Sequence, residues 1–195
     1  MLNPWDRQTA GLDGLELPPV TQIGMVVPDL GAGVDFYRGF LGISKWYRTV
    51  ITECRYTFRN RPIDIRLDIA VGYSGRTQVE LIQVFGSDDN IYYAYPGEAG
   101  FGFHHFGVVV DDLEKAKRTM QDRGFPALQE GTLKYAGGGK TRVAYLDTME
   151  KAGMILELIE TKAFGINLGM PEWLVSLGRI TGDTMTMDAG WGGRS

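Results

Sequence analysis

The chain has 195 residues, enough for one well-formed core or for two small fused modules. A net charge of -4 and a pI near 5.2 give no attraction to nucleic acid or to an anionic membrane surface. No apolar run reaches the roughly 20 residues of a bilayer span, the one cysteine, Cys54, has no internal disulfide partner, and no signal-peptide pattern opens the chain, so a soluble cytoplasmic protein is expected.

Residues 1 to about 19 contain Gly and Pro without a period, end in Pro18-Pro19, and are expected to form an N-terminal arm. A strand over 23–27 follows. Asp29 then reads as the N-cap of a helix in which Val34, Phe36, Tyr37 and Phe40 recur at helical spacing, with Leu41-Gly42 as its stop. Strands are expected next over about 45–58, 63–72 and 77–85. The middle one alternates strictly, with Ile63, Ile65, Leu67, Ile69 and Val71 set against Asp64, Arg66 and Asp68, and Tyr73-Ser74-Gly75 turns into the third.

The plan then repeats. A strand over 105–110 leads to a helix from Asp112 to about Arg123, stopped by Gly124, and then to strands near 126–131, 141–147 and 154–160. Gly137-Gly138-Gly139-Lys140 is a glycine turn into the strand near 141–147 and resembles no phosphate-binding loop.

The repetition extends to individual residues. Gln22-Ile-Gly-Met-Val-Val-Pro-Asp29-Leu30 matches His105-Phe-Gly-Val-Val-Val-Asp-Asp112-Leu113, and Val79-Glu80-Leu81-Ile82-Gln83 matches Leu156-Glu157-Leu158-Ile159-Glu160. The organisation expected is therefore an arm over 1–19, a first βαβββ module over 20–97, a second over 98–161 and a C-terminal extension over 162–195. Paired, the modules make an α+β fold, a curled eight-stranded mixed sheet around a metal-binding cavity with helices outside. Alternation puts Gln22, Gly24 and Val26 on one face, His105, Gly107 and Val109 on another, and Glu80 and Glu157 on the corresponding faces of the last strands.

If those faces share a cavity, a Gln carbonyl, one imidazole and two carboxylates converge. That mixed N/O set suits a divalent Mg, Mn, Fe, Co, Ni or Zn ion, balances its charge, and on an octahedral ion leaves two positions open. The absence of a thiolate argues against a structural zinc site. Taken singly the residues have blander readings: Gln22 as a surface residue, His105 as a satisfied core histidine with His104 on the opposite face. Glu80 and Glu157 resist that reading, because a carboxylate flanked by Val and Leu in a strand needs a partner.

These paired motifs resemble the vicinal oxygen chelate superfamily, which includes glyoxalase I, methylmalonyl-CoA epimerase, extradiol dioxygenases and drug-resistance binding proteins. The resemblance covers about residues 20–161, and Phe36-Tyr37 and Leu41-Gly42 also look like the superfamily's first module. It implies paired βαβββ modules with metal ligands from the first and last strand of each, here Gln22, Glu80, His105 and Glu157. The set is similar to that of some glyoxalases I, but three positions that hold glutathione contacts there carry Val26, Val84 and Phe101, so glutathione is not the expected substrate.

Phe103-His104-His105, the Val-Val-Val-Asp-Asp run that follows and the 153–160 ending resemble acyl-CoA epimerases, from which Gln22 departs, since that branch often has His there. The resemblance implies an epimerase or isomerase in which a metal-bound carbonyl acidifies the neighbouring C–H of an acyl-CoA-like substrate. Glu157 and, across the cavity, Asp64 (with Asp68 behind it) are the expected proton carriers. The alternatives are a glyoxalase I-like lyase, an iron-dependent ring-cleaving dioxygenase, and a metal-free binding or resistance protein whose cavity is lined by Tyr92, Tyr93, Tyr95, Phe101 and Phe103. Related folds also imply a homodimer. In the extension, Pro171-Glu-Trp-Leu-Val-Ser-Leu-Gly178 reads as a helix from Pro to Gly with an apolar Trp173, Leu174, Leu177 stripe, expected to cap the cavity or pack on a second subunit. The Gly- and Met-rich residues after it are expected to order only when paired.

Overall fold

The computed structural model describes residues 12, 14–95, 100–163, 166–167 and 169–190, so most of the N-terminal arm lies outside the described residues. Strand β1 (Val20–Val26) leads into helix α1 (Leu30–Phe40), whose N-cap Asp29 accepts a hydrogen bond from the Ala32 N–H at 2.6 Å. Then follow β2 (Trp46–Thr49), β3 (Ile51–Phe58), β4 (Arg61–Ile63), β5 (Ile65–Ser74), β6 (Thr77–Gly86) and the short helix α2 (Ile91–Ala94). The second half contains β7 (Gly102–Val109), α3 (Leu113–Asp122) capped by Asp112, β8 (Ala127–Tyr135), β9 (Lys140–Leu146), the short α4 (Met149–Ala152) and β10 (Ile155–Ala163). The extension adds β11 (Ile166–Asn167), α5 (Glu172–Thr181) and β12 (Thr184–Met187).

The described strands form one mixed sheet in the order β12-β2-β5-β6-β1-β7-β10-β9-β8-β3-β4, with β11 beside β10. Twelve strands, not eight, take part. The chief departure is at 45–58, where the expected single strand divides at Val50. There the Val50 N–H donates to Asp183 O at 2.7 Å, continuing the β2–β12 pairing, and its carbonyl accepts from the Ala136 N–H at 3.1 Å, continuing the β3–β8 pairing. One residue is thus shared between two separate ladders. The run carries no Gly or Pro to signal the break. Across that one residue the chain passes from β2, beside β5, to β3, beside β8 at the far side of the order. Consecutive residues can serve distant strands only because the sheet curls, and the curl encloses the cavity.

A second departure concerns the extension. Helix α5 does not stop at Gly178 but runs on to Thr181, with Gly182 in the left-handed region as its C-cap. Gly178 serves packing instead, since a Cβ there would lie 3.0 Å from Thr184 Oγ1. Residues 184–187, expected to be ordered only when paired, pair with β2 and bury Met187.

The inner face of the sheet packs Tyr56, Leu67, Ile69, Ile82, Leu133, Val143 and Ile159. Two outer layers cover the other face: Leu30 and Val34 of α1 against Trp46, Leu81 and Met187, and Leu113 and Met120 of α3 against Val108, Leu146 and Leu158. Among the described residues no helix is long and apolar enough to cross a membrane.

Candidate metal centre

The centre is set by the register of four adjacent strands, β6, β1, β7 and β10. One row across them reads Glu80, Gly24, His105, Ile155, and the neighbouring row reads Gln78, Gln22, Gly107, Glu157. The two glycines make room for the ligand candidates. A Cβ on Gly24 would fall 1.9 Å from His105 Cε1, and one on Gly107 would fall 2.3 Å from Gln22 Oε1. Each first strand thus lacks a side chain where the other lays its ligand down. The sequence places Gly24 and Gly107 beside these residues but does not disclose this role.

Glu80, His105 and Glu157 each offer a ligand atom within 4.8 Å of the others. His105 Nε2 lies 3.0 Å from Glu157 Oε2 and 3.6 Å from Glu80 Oε2. The 3.0 Å approach lacks hydrogen-bond alignment, so both His105 Nε2 and Glu157 Oε2 are buried polar atoms without a partner, as is Gln22 Oε1. Gln22 spends its other end on Gln78, donating from Nε2 to Gln78 Oε1 at 2.9 Å.

The tautomer of His105 follows from its neighbour. His104 Nε2 is 3.2 Å from the Ile91 carbonyl, which can only accept, so that nitrogen carries the proton of a neutral ring. Burial and the adjacent His105 push the His104 pKa down to about 3 and keep the ring neutral. Its Nδ1 is then an acceptor, and His105 donates to it from Nδ1 across 3.0 Å. The lone pair of His105 Nε2 therefore faces the two carboxylates. This coupling of adjacent rings departs from the expectation that they serve opposite faces.

Two carboxylates and an imidazole lone pair facing one another call for a cation. Without metal, a proton supplies the charge. Burial opposes it, but the Glu157 charge and the contacts with Glu157 and Glu80 outweigh burial and push the His105 pKa up to about 9. Burial also raises the Glu80 carboxyl, the His105 contact opposes this, and the Glu157 charge adds to it. A divalent ion fits better. Cis ligands at about 2.1 Å from a metal lie roughly 3 Å apart and trans ligands roughly 4 Å, and the observed separations of 3.0, 3.6 and at most 4.8 Å suit that arrangement. The three orphaned atoms would all gain a partner.

Gln22, Glu80 and Glu157 line a cavity of about 580 Å³. Leu67, Ile69, Leu133, Val143 and Ile159 supply apolar wall, Tyr56, Tyr73, Tyr135 and Tyr145 supply hydroxyls, and residues 169–172 of the extension form part of the lining. Arg76 is the one cation lining it among the described residues.

Asp64 is not part of this site. It is exposed between β4 and β5, because the aliphatics that alternate with it, Ile65, Leu67 and Ile69, take the inner face. Asp68 points outward too, where Arg48 holds it through bonds of 2.7 and 2.6 Å. The expected aromatic lining also differs. Tyr92 is fully buried behind the site, its hydroxyl 2.9 Å from that of Tyr145, while Tyr93, Phe101 and Phe103 are exposed and Tyr95 packs on the core. The positions expected to miss glutathione contacts offer no charged group: Val26 and Val84 are core residues and Phe101 is exposed.

A family model described as the Glyoxalase/Bleomycin resistance protein/Dioxygenase superfamily matches residues 21–145. A curated relative from Arabidopsis thaliana, named a probable chloroplastic lactoylglutathione lyase, is 28% identical over 69% of this chain; the chain spans only 33% of that relative's length. Among solved structures, a hypothetical protein from Bacillus halodurans superposes with a TM-score of 0.52 at 20% identity, covering 76% of this chain and 98% of the other. A variant methylmalonyl-CoA epimerase from Streptomyces coelicolor, in complex with 2-nitronate-propionyl-CoA, gives a TM-score of 0.50 at 18% identity, covering 79% and 100%. At these identities the two structures speak for the fold.

Proposed function

Because the chain belongs to the glyoxalase/bleomycin resistance/dioxygenase superfamily, we propose that it is a metal-dependent vicinal oxygen chelate enzyme, an epimerase or isomerase that removes and returns a proton beside a carbonyl. The observation that carries this reading is the convergence of Gln22 Oε1, His105 Nε2 and Glu157 Oε2, all buried and unpartnered, beside the Glu80 carboxylate on a cavity wall. These four residues would hold a divalent ion, which would supply Lewis-acid polarisation of a substrate carbonyl and favour deprotonation of the neighbouring carbon.

The chain's own groups move the proton. Glu80 and Glu157 come from strands on opposite flanks of the β1–β7 pair, and both line the cavity. Glu80 keeps 12% of its side chain accessible, so its carboxylate can meet a substrate proton from the cavity. Glu157, 3% accessible, is its counterpart on the other flank. With Asp64 outside the cavity, these are the two acid–base groups. The substrate class is a carbonyl compound with an adjacent oxygen and an acidic C–H, such as an acyl-CoA-like thioester. Its acyl end fits the cavity, and a negative group further along the molecule meets Arg76.

A glyoxalase I-like lyase is the second reading, favoured by the Arabidopsis relative and opposed by the buried Val26 and Val84. Ring cleavage is less favoured because Gln22 stands where that chemistry needs a second His, and a metal-free binding role leaves two buried carboxylates to share the single charge of a protonated His105. The test is α-proton exchange into deuterated water by metal-loaded protein, with 2-substituted acyl-CoA thioesters in one arm and the methylglyoxal–glutathione hemithioacetal in another. Exchange in the thioester arm is expected. Turnover confined to the hemithioacetal moves the assignment to a lyase, and exchange in neither arm removes both.

A further inference from the structure

The C-terminal extension is joined to the candidate centre by a hydrogen-bonded chain of fixed polarity. It starts at the Met170 carbonyl, which can only accept. Tyr73 donates its hydroxyl proton to Met170 O at 2.7 Å, so the Tyr73 oxygen is left to accept. Gln78 meets that oxygen at 2.7 Å and Met170 O at 3.4 Å, two acceptors, and must present its Nε2 to them. Its Oε1 therefore faces Gln22, which answers with Nε2 at 2.9 Å. That leaves Gln22 Oε1, buried and without a partner, lying against Gly107, whose neighbour on the next strand is Glu157.

A glutamine amide is a ligand at one end and a repellent donor at the other. We propose that the extension, through Met170, Tyr73 and Gln78, keeps the oxygen end of Gln22 turned toward the cation, and that Tyr73 and Gln78 are positioning residues for this ligand. The inference rests on the metal-site reading above. The extension is thus a working part of the centre: Gly169, Met170, Pro171 and Glu172 line the same cavity as Gln22 and the 5% exposed Gln78. The chain of bonds also explains a second match in the register, where Gln78 sits directly beside Gln22 on the neighbouring strand.

Divalent-metal affinity, measured by competition with a chromophoric chelator on the full chain, tests this without any substrate. Tyr73→Phe removes the hydroxyl that fixes Gln78, and Gln78→Leu removes the relay; each is expected to weaken binding by about tenfold or more, the usual size of a lost ligand-orienting contact. In a Gln22→Glu background either end of the side chain is an oxygen, so adding Tyr73→Phe is expected to change affinity by less than about twofold. Side-chain amide NMR on the metal-free protein gives an independent reading: the Gln22 amide protons should exchange with solvent faster in Tyr73→Phe than in wild type. If wild type binds metal and both single variants bind within about twofold of it, this inference is overturned and the metal site stands. If Tyr73→Phe weakens binding equally in both backgrounds, the effect is general packing and the inference is likewise overturned. A wild type without metal affinity overturns the metal-site reading together with it.

Discussion

His105 divides its two nitrogens between a neighbour and the site, and the division begins at the Ile91 carbonyl, which holds His104 as a neutral acceptor. His104→Leu removes that acceptor and is expected to weaken metal binding by about 10- to 100-fold, whereas His104→Asn keeps an oxygen near the Nδ1 position and should recover most of the affinity. Nitrogen-15 shifts of the His105 ring in metal-free protein above about pH 9, where the ring is neutral, check this directly, since Nε2 should lose its lone-pair signature only in the leucine variant. Proton and metal compete for His105 Nε2. With its pKa at about 9 in the metal-free protein, affinity is expected to rise about tenfold per pH unit up to about pH 9 and then level off. The sign for stability is the opposite. A pKa raised above 6.5 stabilises the metal-free fold fully below that value, and the contribution disappears as pH rises through about 9, so the melting temperature of metal-free protein should fall over that window and that of loaded protein should not. Asp64→Asn, at an exposed position away from the cavity, should leave both metal affinity and turnover unchanged. The candidate ligands were legible because a period of two puts Gln22, Glu80, His105 and Glu157 on definable faces. The tautomer relay was not, because α2, which supplies Ile91, is a single short turn with no periodic signal.

At the level of elements, the strands of the site are shaped by what they omit. Gly24→Ala would push a methyl group into the His105 ring, and it is expected to abolish metal binding and to lower stability by about 1–3 kcal/mol in denaturant titration. Helix starts were readable because Asp29 and Asp112 cap in the expected way, each accepting from a backbone N–H of the first turn. The break at Val50 was not, since its cause is tertiary: the Asp183 and Ala136 backbone groups that capture Val50 are 133 and 86 residues away in sequence. The same separation hid β12. Its Met187 packs with Trp46 and Leu81 on the outer face, so Met187→Ala should cost about 2–4 kcal/mol by urea unfolding while leaving metal affinity intact, because the cavity lies on the inner face.

For the whole molecule, the curled sheet turns two sequence-distant halves toward one cavity and brings two negative charges into a setting nine-tenths closed to water. Such a fold carries an unsatisfied demand for positive charge, and a bound divalent ion should raise the unfolding free energy by about 3 kcal/mol at a hundredfold excess over its dissociation constant. The apolar period conveyed the curled mixed sheet and its two outer helices. It did not convey the added strands of the extension or the closure through Val50, which depend on pairings that no local pattern records. The most direct test of the metal centre is the metal content of mildly purified chain, measured beside folded His105→Ala and Glu157→Gln variants. About one divalent ion per wild-type chain, lost in both variants, is the expected result. Wild-type chain that takes up no ion at saturating metal, or variants that retain it in full, would contradict the assignment.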